Sequence, residues 1–363
     1  MNSRREYKQP ELERIMFLKS CWYVAAFADE ISTKPLARTL LNEPVVLFRQ
    51  LDGTPTALED RCCHRGLPLA HGAVVPEGIQ CGYHGLVFNA GGRCVRIPGQ
   101  DNIPAAACVT SYPIDERDGL VWIWLGDPAK ADTADIVRYP WHNEPGWAHK
   151  GKRNEVKARH GLVVDNLLDL THVGYVHKST IGGQPDAHSN AEMTTSRTDN
   201  SVSVLRWLRN SLPPPTYKLA AGFEGRVDRW SEIEFKPGVI TIYAGAKDVG
   251  TGAYEGNREG GFYLRSLHAV TPETERTAHY FWTIAHLVRP GMPELTERVY
   301  QEIDAAFAED KIIIEAQFAR LEQRPEPRLL DIRTDGPSLQ ARRIIAIRTE
   351  AESQSSPRAA SVA

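Results

Sequence analysis

The hydrophobic positions in the first third of the chain fall into short runs that are separated by turn residues. The runs that read most clearly as strands are residues 21–26, 44–49, 56–59, 85–89 and 120–125. They are rich in Val, Leu, Phe, Trp and Tyr, and several short strands with glycine-marked turns between them are typical of a small all-β domain. We therefore predict an all-β domain over residues 16–140, preceded by a flexible arm over residues 1–15.

The pattern changes after a proline-marked stretch near residue 140, where we place a boundary to a second domain over residues 141–347. This domain mixes strands with helices, so the chain as a whole is predicted to be α+β. Its predicted strands are residues 157–163, 202–208, 230–235, 239–244, 262–269 and 278–287. Residues 348–363 are polar and lack an apolar period, which predicts a disordered tail.

One long amphipathic helix is predicted from residue 294 to residue 323. Its apolar stripe consists of Leu295, Val299, Ile303, Ala306, Ile313, Gln317 and Leu321. Asp310 fills the one gap in this stripe, and a carboxylate there is costly to bury unless a metal or another cation holds it. Asp310 is therefore a candidate metal ligand, with a salt bridge to an arginine across the core as the alternative. The neighbouring Glu309 lies off the stripe and is predicted to be an ordinary solvated charge.

A second group of candidate ligands lies at residues 165–177. On a helix, Asp165, Asp169 and His172 fall at i, i+4 and i+7 and share a face. His177 lies five residues after His172, which places it roughly 140° around the helix. Both histidines can therefore bind one metal only if the helix ends or distorts between them, and Gly174 is the expected place.

Two cysteines and two histidines form the most specific pattern in the chain. Cys62 and His64 form one half, and Cys81 and His84 form the other. Such a set can hold a tetrahedral zinc ion, or a Rieske cluster with two thiolates on one iron and two imidazoles on the other. Each half supplies one sulfur and one nitrogen, which favours the Rieske cluster. Cys63 is a second thiol beside Cys62, and we expect it to be buried and to point away from the cluster.

Composition excludes several classes of protein. The chain has 363 residues, a formal charge of -3 and 42% hydrophobic residues, so no overall basic charge would attract nucleic acid. No apolar run approaches the length of a membrane span, and the N-terminus lacks the apolar segment of a secretory signal. Among six cysteines, Cys21, Cys94 and Cys108 are expected to be buried free thiols. Thiolate ligands in a chain without a leader predict a reducing, cytoplasmic location.

Four segments carry a resemblance to a known family. They are CCHRG (62–66), CGYHG (81–85), NLLDLTHVGYVH (166–177) and FAED (307–310). Together they resemble the Rieske non-haem iron oxygenases, and within them the oxygenase components of the vanillate O-demethylase and toluenesulfonate methyl-monooxygenase type. The family usually has Pro at the position of Cys63 and often Trp at that of Leu86. The resemblance runs from about Phe17 to Ile347.

The resemblance implies a fold, two iron centres and partners. The fold would be an N-terminal all-β Rieske domain followed by a C-terminal helix-grip (START-like) catalytic domain with an antiparallel sheet. A [2Fe–2S] cluster would be bound by Cys62, His64, Cys81 and His84, and a mononuclear Fe(II) by His172, His177 and Asp310. The family assembles as a head-to-tail homotrimer, and its electrons come from NAD(P)H through a separate flavin or ferredoxin reductase.

Two further residues take roles from the same resemblance. Asp169 would bridge electron transfer between His172 and a cluster histidine of a neighbouring subunit, which is His84 by position. Asn166 would lie close to the mononuclear iron. The expected reaction uses O2 to hydroxylate a methyl, O-methyl or N-alkyl group of a small aromatic substrate.

Two other functions remain open from the sequence. The same iron ligands serve cis-dihydroxylation of an aromatic ring, and a non-enzymatic alternative is a Rieske electron carrier fused to a ligand-binding domain. The substrate could be anionic, because an arginine can bind a carboxylate or sulfonate through two parallel hydrogen bonds. The candidates are Arg206, Arg209, Arg226 and Arg229, although any one of them could instead be a solvated or paired structural residue.

Overall fold

The computed structural model of the protein describes residues 17–323 and 329–355. The predicted flexible arm at residues 1–15 lies outside the described residues. Within the described ranges, no helix is long and apolar enough to cross a membrane.

The first part of the chain forms three small antiparallel sheets, which confirms the predicted all-β domain. Their orders are β1-β10-β9, β2-β3-β4 and β5-β6-β7-β8. The strands are β1 (Trp22–Phe27), β2 (Leu36–Leu40), β3 (Glu43–Arg49), β4 (Pro55–Glu59), β5 (Ala73–Val75), β6 (Gly78–Gln80), β7 (Val87–Phe88), β8 (Cys94–Arg96), β9 (Ile114–Arg117) and β10 (Leu120–Trp124).

The second part is built on a seven-stranded antiparallel sheet with the order β11-β17-β16-β15-β14-β13-β12. Its strands are β11 (Trp147–Val156), β12 (Glu192–Arg197), β13 (Val202–Ser211), β14 (Val227–Lys236), β15 (Val239–Asp248), β16 (Phe262–Pro272) and β17 (Ala278–Leu287). The strand predicted at residues 157–163 is wrong, because β11 ends at Val156 and a helix begins at His160. Val163, Val164 and Leu167 are buried there at helical spacing.

Six α-helices complete the described chain. They are α1 (His160–Leu168), α2 (Val173–Val176), α3 (Pro185–Ser189), α4 (Pro215–Ala221), α5 (Leu295–Gln323) and α6 (Gly336–Ser355). Helix α5 packs against the sheet, and its Phe307 meets the ring of Trp282 on β17 edge to face at 5.0 Å. A long helix packed on an antiparallel sheet is the arrangement that the resemblance implied.

The apolar stripe of α5 has a different register in its second half from the one predicted. Ile314 and Phe318 are buried, whereas Ile313 is 46% exposed. An α-helix turns by 3.6 residues, so the inward positions after Asp310 are those four and eight residues later. Asp310 itself is only 7% exposed, which confirms its place in the buried stripe.

The prediction of a disordered tail from residue 348 is wrong for residues 348–355, because α6 continues to Ser355. The carboxylate of Glu352 accepts hydrogen bonds from the backbone N–H groups of Lys19 and Ser20. Arg348 donates to the carbonyl oxygen of Ser20. Polar side chains thus hold this end of α6 against the first described residues of the chain. A search for periodic apolar residues cannot detect a helix that is held in this way. Residues 356–363 lie outside the described part of the chain.

Candidate metal centre and active site

The four ligands predicted for a Rieske cluster stand on two turns of matching design. In each turn the cysteine N–H donates to the carbonyl oxygen five residues later, at 2.9 Å for Cys62 and 2.8 Å for Cys81. The cysteine carbonyl in turn accepts from Gly66 in the first turn and from Gly85 in the second. Both glycines have a positive φ, 73° and 75°, which favours glycine at these positions.

These turns bury the two cysteine side chains in the domain and leave the two imidazoles at its surface. Cys62 and Cys81 are each 3% exposed, whereas His64 and His84 are exposed, with their ring centroids 4.5 Å apart. The pKa of the Cys62 thiol is raised to about 11, chiefly by burial and also by the adjacent Cys81 thiol. A metal cluster would supply the positive charge that two neighbouring buried thiolates need. The residues present therefore fit a cluster with an inner thiolate side and an outer imidazole side.

The neighbouring thiols differ in part from expectation. The cysteines described in the structure are all free. Cys21 and Cys94 are buried as predicted, but Cys63 and Cys108 are exposed. The predictions that Cys63 and Cys108 are buried are therefore wrong. At Cys63, the turn that buries Cys62 leaves the next side chain on the surface.

His172, His177 and Asp310 converge on one point of the second domain. Nε2 of His172 lies 3.3 Å from Oδ1 of Asp310, and Nε2 of His177 lies 3.1 Å from the same oxygen. One ligand atom from each of the three residues lies within 4.8 Å of the other two. Nε2 of His177 is buried and makes no well-aligned hydrogen bond. This donor set is that of a two-histidine, one-carboxylate metal site, and the residues present fit Fe(II).

Hydrogen bonds at the opposite ring nitrogens orient both imidazoles. Nδ1 of His172 donates to the backbone carbonyl of Asp169 at 2.6 Å, and Nδ1 of His177 donates to Oε2 of Glu309 at 2.8 Å. Each bond leaves Nε2 free to face Asp310. The prediction that Glu309 is only a solvated charge is therefore wrong. Its side chain is 38% exposed, yet it holds a candidate ligand.

The local backbone explains how both histidines reach the same point. Helix α1 ends at Leu168, and α2 begins after His172 and ends before His177, whose φ of -103° and ψ of 39° are no longer helical. The helix is interrupted before His172 and ends again at Val176, so it ends between the two histidines as predicted, but at Val176 and not at Gly174. Gly174 lies inside α2, where an added Cβ would come within 2.5 Å of Cα of Pro185. The glycine permits close packing of two segments.

Asn166 and Asp169 lie next to this centre but contact different parts of it. Nδ2 of Asn166 donates to Oδ1 of Asp310 at 3.1 Å. The carboxylate of Asp169 accepts from Thr171 through one oxygen and from Thr334, at 3.0 Å, through the other. Burial alone would raise the pKa of Asp310, but the close approach of the His172 and His177 rings holds that pKa well below its usual range.

A cavity opens beside His172, His177 and Asp310, between the sheet and helix α5. Its volume is about 100 Å³. Much of its wall is apolar, formed by Leu170, Val173, Ile242, Leu264, Ile284, Ile303 and Phe307. Its polar lining includes Asn166, His188, Arg206, Tyr217, Arg229, Ser266 and His268. Arg209 and Arg226 are exposed and do not line it.

Comparison with known families matches both parts of the chain. Residues 21–113 match the Rieske [2Fe-2S] domain, and residues 156–351 match the vanillate O-demethylase oxygenase C-terminal domain. These ranges contain the two turns at Cys62 and Cys81 and the convergent group at Asp310, respectively.

Relatives of known description resemble the chain over most of its length. The iron-sulfur subunit of a toluene-4-sulfonate monooxygenase system from Comamonas testosteroni is 42% identical over 88% of this chain and 93% of its own. A vanillate O-demethylase oxygenase subunit from Pseudomonas sp. is 37% identical over 91% of this chain and 94% of its own. The crystal structure of dicamba monooxygenase bound to 3,6-dichlorosalicylic acid superposes with a TM-score of 0.86 at 34% identity, covering 93% of this chain and 99% of the other. The protein therefore belongs to the Rieske non-haem iron oxygenases, in the group of the vanillate O-demethylase and toluenesulfonate monooxygenase oxygenase components.

Proposed function

We propose that the protein is the terminal oxygenase of a multicomponent monooxygenase that hydroxylates a methyl, O-methyl or N-alkyl carbon of a small aromatic substrate. The observation that carries this proposal is the convergence of His172, His177 and Asp310 at the wall of a largely apolar cavity. Relatives named for the oxidation of toluene-4-sulfonate and the O-demethylation of vanillate support the substrate class.

We assign the two iron centres to the residues that the folding brings together. Cys62, Cys81, His64 and His84 would hold the [2Fe–2S] cluster, and His172, His177 and Asp310 would hold Fe(II). When bound, a two-histidine, one-carboxylate iron leaves open positions at which O2 can be activated, and the cluster supplies electrons to it.

The protein's own residues prepare the site for this chemistry. Asp169 and Glu309 orient the imidazoles, and Asn166 holds Oδ1 of Asp310. The apolar wall formed by residues such as Leu170 and Phe307 excludes water and suits an aromatic ring. The reaction consumes one O2, two electrons and two protons. It converts a C–H bond to C–OH and releases water, and a hydroxylated O-methyl or N-methyl group then collapses with loss of formaldehyde.

Electrons are proposed to pass between subunits of a homotrimer. The cluster turns present His84 and the 61% exposed Tyr83 at the surface, where a partner can approach. Cys62 and Cys81 pack in one hydrophobic cluster, while the core around α5 is a separate one. Asp169 would connect His84 of one subunit with His172 of the next.

The electron donor is proposed to be a separate NAD(P)H-dependent flavin or ferredoxin reductase that docks on the exposed cluster turns. Relatives described as one component or subunit of an oxygenase system support this division of labour. We also propose a cytoplasmic location, supported by the free cysteines of the described chain.

Single-turnover chemistry tests the proposed reaction. The chemically reduced holoprotein would be mixed with O2 and a panel of methyl-, methoxy- and N-alkyl-aromatics. We expect formaldehyde from the methoxy and N-methyl compounds and a benzylic alcohol from the methyl compounds. A cis-dihydrodiol as the product would indicate ring dihydroxylation instead, and the absence of any oxygenated product across the panel would contradict the proposal.

A further inference from the structure

Two arginines in the cavity wall lack a carboxylate partner. Arg206 is 3% exposed and Arg229 is 7% exposed, which is unusual for a charged side chain. Within residues 17–323 and 329–355, neither forms an ion pair with a carboxylate, and their hydrogen bonds go to backbone carbonyl groups. The proposed oxygenation chemistry makes no use of either residue.

The sheet register directs both side chains to the same place. Arg206 on β13 lies opposite Ser231 on β14, and Arg229 on β14 lies opposite Leu208 on β13. Side chains alternate between the two faces of a strand, so these four positions share one face, and all four line the cavity. Arg209 comes next to Leu208 in the chain and lies at the surface, over the ring of Tyr254.

Only part of each guanidinium group is used by the protein. Nη2 of Arg206 donates to the carbonyl oxygen of His188 at 2.9 Å. Nη1 and Nη2 of Arg229 donate to the carbonyl oxygens of Gly182 and Ile181, at 3.2 and 3.3 Å, and its buried Nε has no partner among the described residues. Donors therefore remain that could bind an oxygen atom of a ligand.

The site carries net positive charge. The pKa of Arg206 is lowered to about 10, because burial and the nearby Arg229 lower it by more than Asp169 raises it. The carboxylate of Asp169 already accepts hydrogen bonds from two threonines. Burial also lowers the pKa of His188 to about 3, so this imidazole is neutral near pH 7 and the two arginines supply the charge. Buried cations of this kind are costly unless an anion accompanies them.

We propose that Arg206 and Arg229 form an anion subsite of the substrate cavity, which binds the carboxylate or sulfonate group of an aromatic substrate. Guanidinium groups suit such oxyanions because their planar donors match two oxygen atoms at once. The inference rests on the proposed function, which defines the end of the substrate that reacts. Binding of the anionic end can be tested separately.

The subsite is also connected to the segment that carries a candidate iron ligand. The N–H of Gly182 donates to the carbonyl oxygen of His177 at 2.9 Å, and the carbonyl of Gly182 accepts from Arg229. A single residue therefore links the arginine to the segment that carries the candidate ligand. Arg229, His177 and Asp310 line the same cavity, so an anion held by Arg229 would keep the attached ring in the cavity that also contains the candidate iron ligands.

Equilibrium binding to the reduced holoprotein without O2 tests the proposal independently of turnover. Toluene-4-sulfonate and 4-methylbenzoate are the anionic probes, and toluene-4-sulfonamide is the neutral probe of nearly the same shape. Calorimetry would measure each affinity for the wild type and for Arg206→Gln and Arg229→Gln. We expect at least one anion to bind ten times or more tighter than the sulfonamide, and each substitution to weaken that anion at least tenfold while changing the sulfonamide less than threefold.

Arg209→Gln is the matched control, because it removes the same group from the outer surface of the same strand, and it should leave the affinity unchanged. Arg229→Lys keeps the positive charge but loses the planar pair of N–H donors. It provides a second test if Arg229→Gln does not fold. We expect it to bind the anion more weakly than the wild type. Equal affinity of the wild type for anionic and neutral probes, or an equal loss of both in the variants, would overturn the anion subsite. Selective anion binding without any turnover would instead count against the proposed oxygenation alone.

Discussion

Glu309 accepts a hydrogen bond from Nδ1 of His177 at 2.8 Å, and Asp310, the next residue in the chain, faces Nε2 of the same ring at 3.1 Å. Two adjacent carboxylates on α5 thus act on opposite sides of one imidazole. Glu309 fixes the orientation of the ring, and Asp310 is a candidate metal ligand beside it. Carboxylates that orient a ligand histidine raise its basicity and typically contribute 10- to 100-fold to metal affinity.

Glu309→Leu should therefore weaken iron binding at the mononuclear site by roughly 10- to 100-fold. The cluster should be unaffected, because Glu309 lies on α5 and far in the chain from both cluster turns. Competition with a chelator, followed by iron analysis, measures the effect. Glu315→Leu removes a carboxylate six residues later on the same helix and is the control. Equal iron retention in the two variants would show that Glu309 does not support the ligand.

Asp169→Asn should leave both iron centres loaded and slow turnover with the reductase by tenfold or more. The side chain of Asp169 holds Thr171 and Thr334, while its backbone carbonyl, which orients His172, is retained in the variant. The rate at which O2 and substrate reoxidise the reduced cluster, followed by its absorbance, measures this step. Asp186→Asn, at an exposed position of α3, is the control. A normal rate in Asp169→Asn would refute the bridging role.

Gly174→Ala should destabilise the protein by about 1–3 kcal/mol, because an added methyl group there overlaps the backbone of Pro185. Gly161→Ala is the matched control in a nearby helix, since an added Cβ meets nothing within 4 Å. Alanine there should stabilise the protein by about 0.5–1 kcal/mol. The thermal midpoints of the two variants should thus move in opposite directions. A stabilised Gly174→Ala would contradict the close approach of α2 and α3.

The buried His268 should make the protein less stable in acid. Burial lowers its pKa from 6.5 to about 3, while its ring bonds to Tyr280 and Ser266. Below pH 6.5 the unfolded chain binds a proton that the folded chain does not, so stability falls as the pH falls toward 3. His268→Gln removes the contribution of this histidine to the loss of stability. The difference between the free energies of unfolding of the variant and of the wild type should therefore shift in favour of the variant by about 1.4 kcal/mol for each pH unit below 6.5. A pH-independent difference, measured by urea unfolding between pH 7 and 5, would contradict this.

Much of the architecture was predictable. The alternation of apolar and polar residues along the strands and the helical spacing of apolar residues along α5 are both local properties of the sequence. The four cluster ligands were predictable too, since each turn carries its own cysteine, histidine and glycine. Asp310 stood out as a polar residue within an apolar stripe. The predicted stripe was wrong at Ile313 because three consecutive isoleucines, 312–314, offer several apolar positions, and only the helical period counted from Asp310 selects Ile314.

Other features depend on contacts between distant segments and had no local signal. The role of Glu309 requires the ring of His177, which is 132 residues away in the chain. The four arginines looked alike in the sequence. In the structure, Arg206 and Arg229 are buried on one face of β13 and β14, whereas Arg209 is exposed on β13 and Arg226 is exposed just before β14 begins. Helix α6 extends past residue 348 because Arg348 and Glu352 find backbone partners near Lys19 and Ser20.

The iron content of the wild type and of Asp310→Ala tests the central claim most directly. Purified protein with its Rieske absorbance intact should contain about three iron atoms per chain, two in the cluster and one in the mononuclear site. Asp310→Ala should retain the absorbance with about two, whereas Asp304→Ala, a surface carboxylate on the same helix, should keep all of them. A wild type with only the two cluster irons, or an Asp310→Ala variant that loses none, would contradict the account.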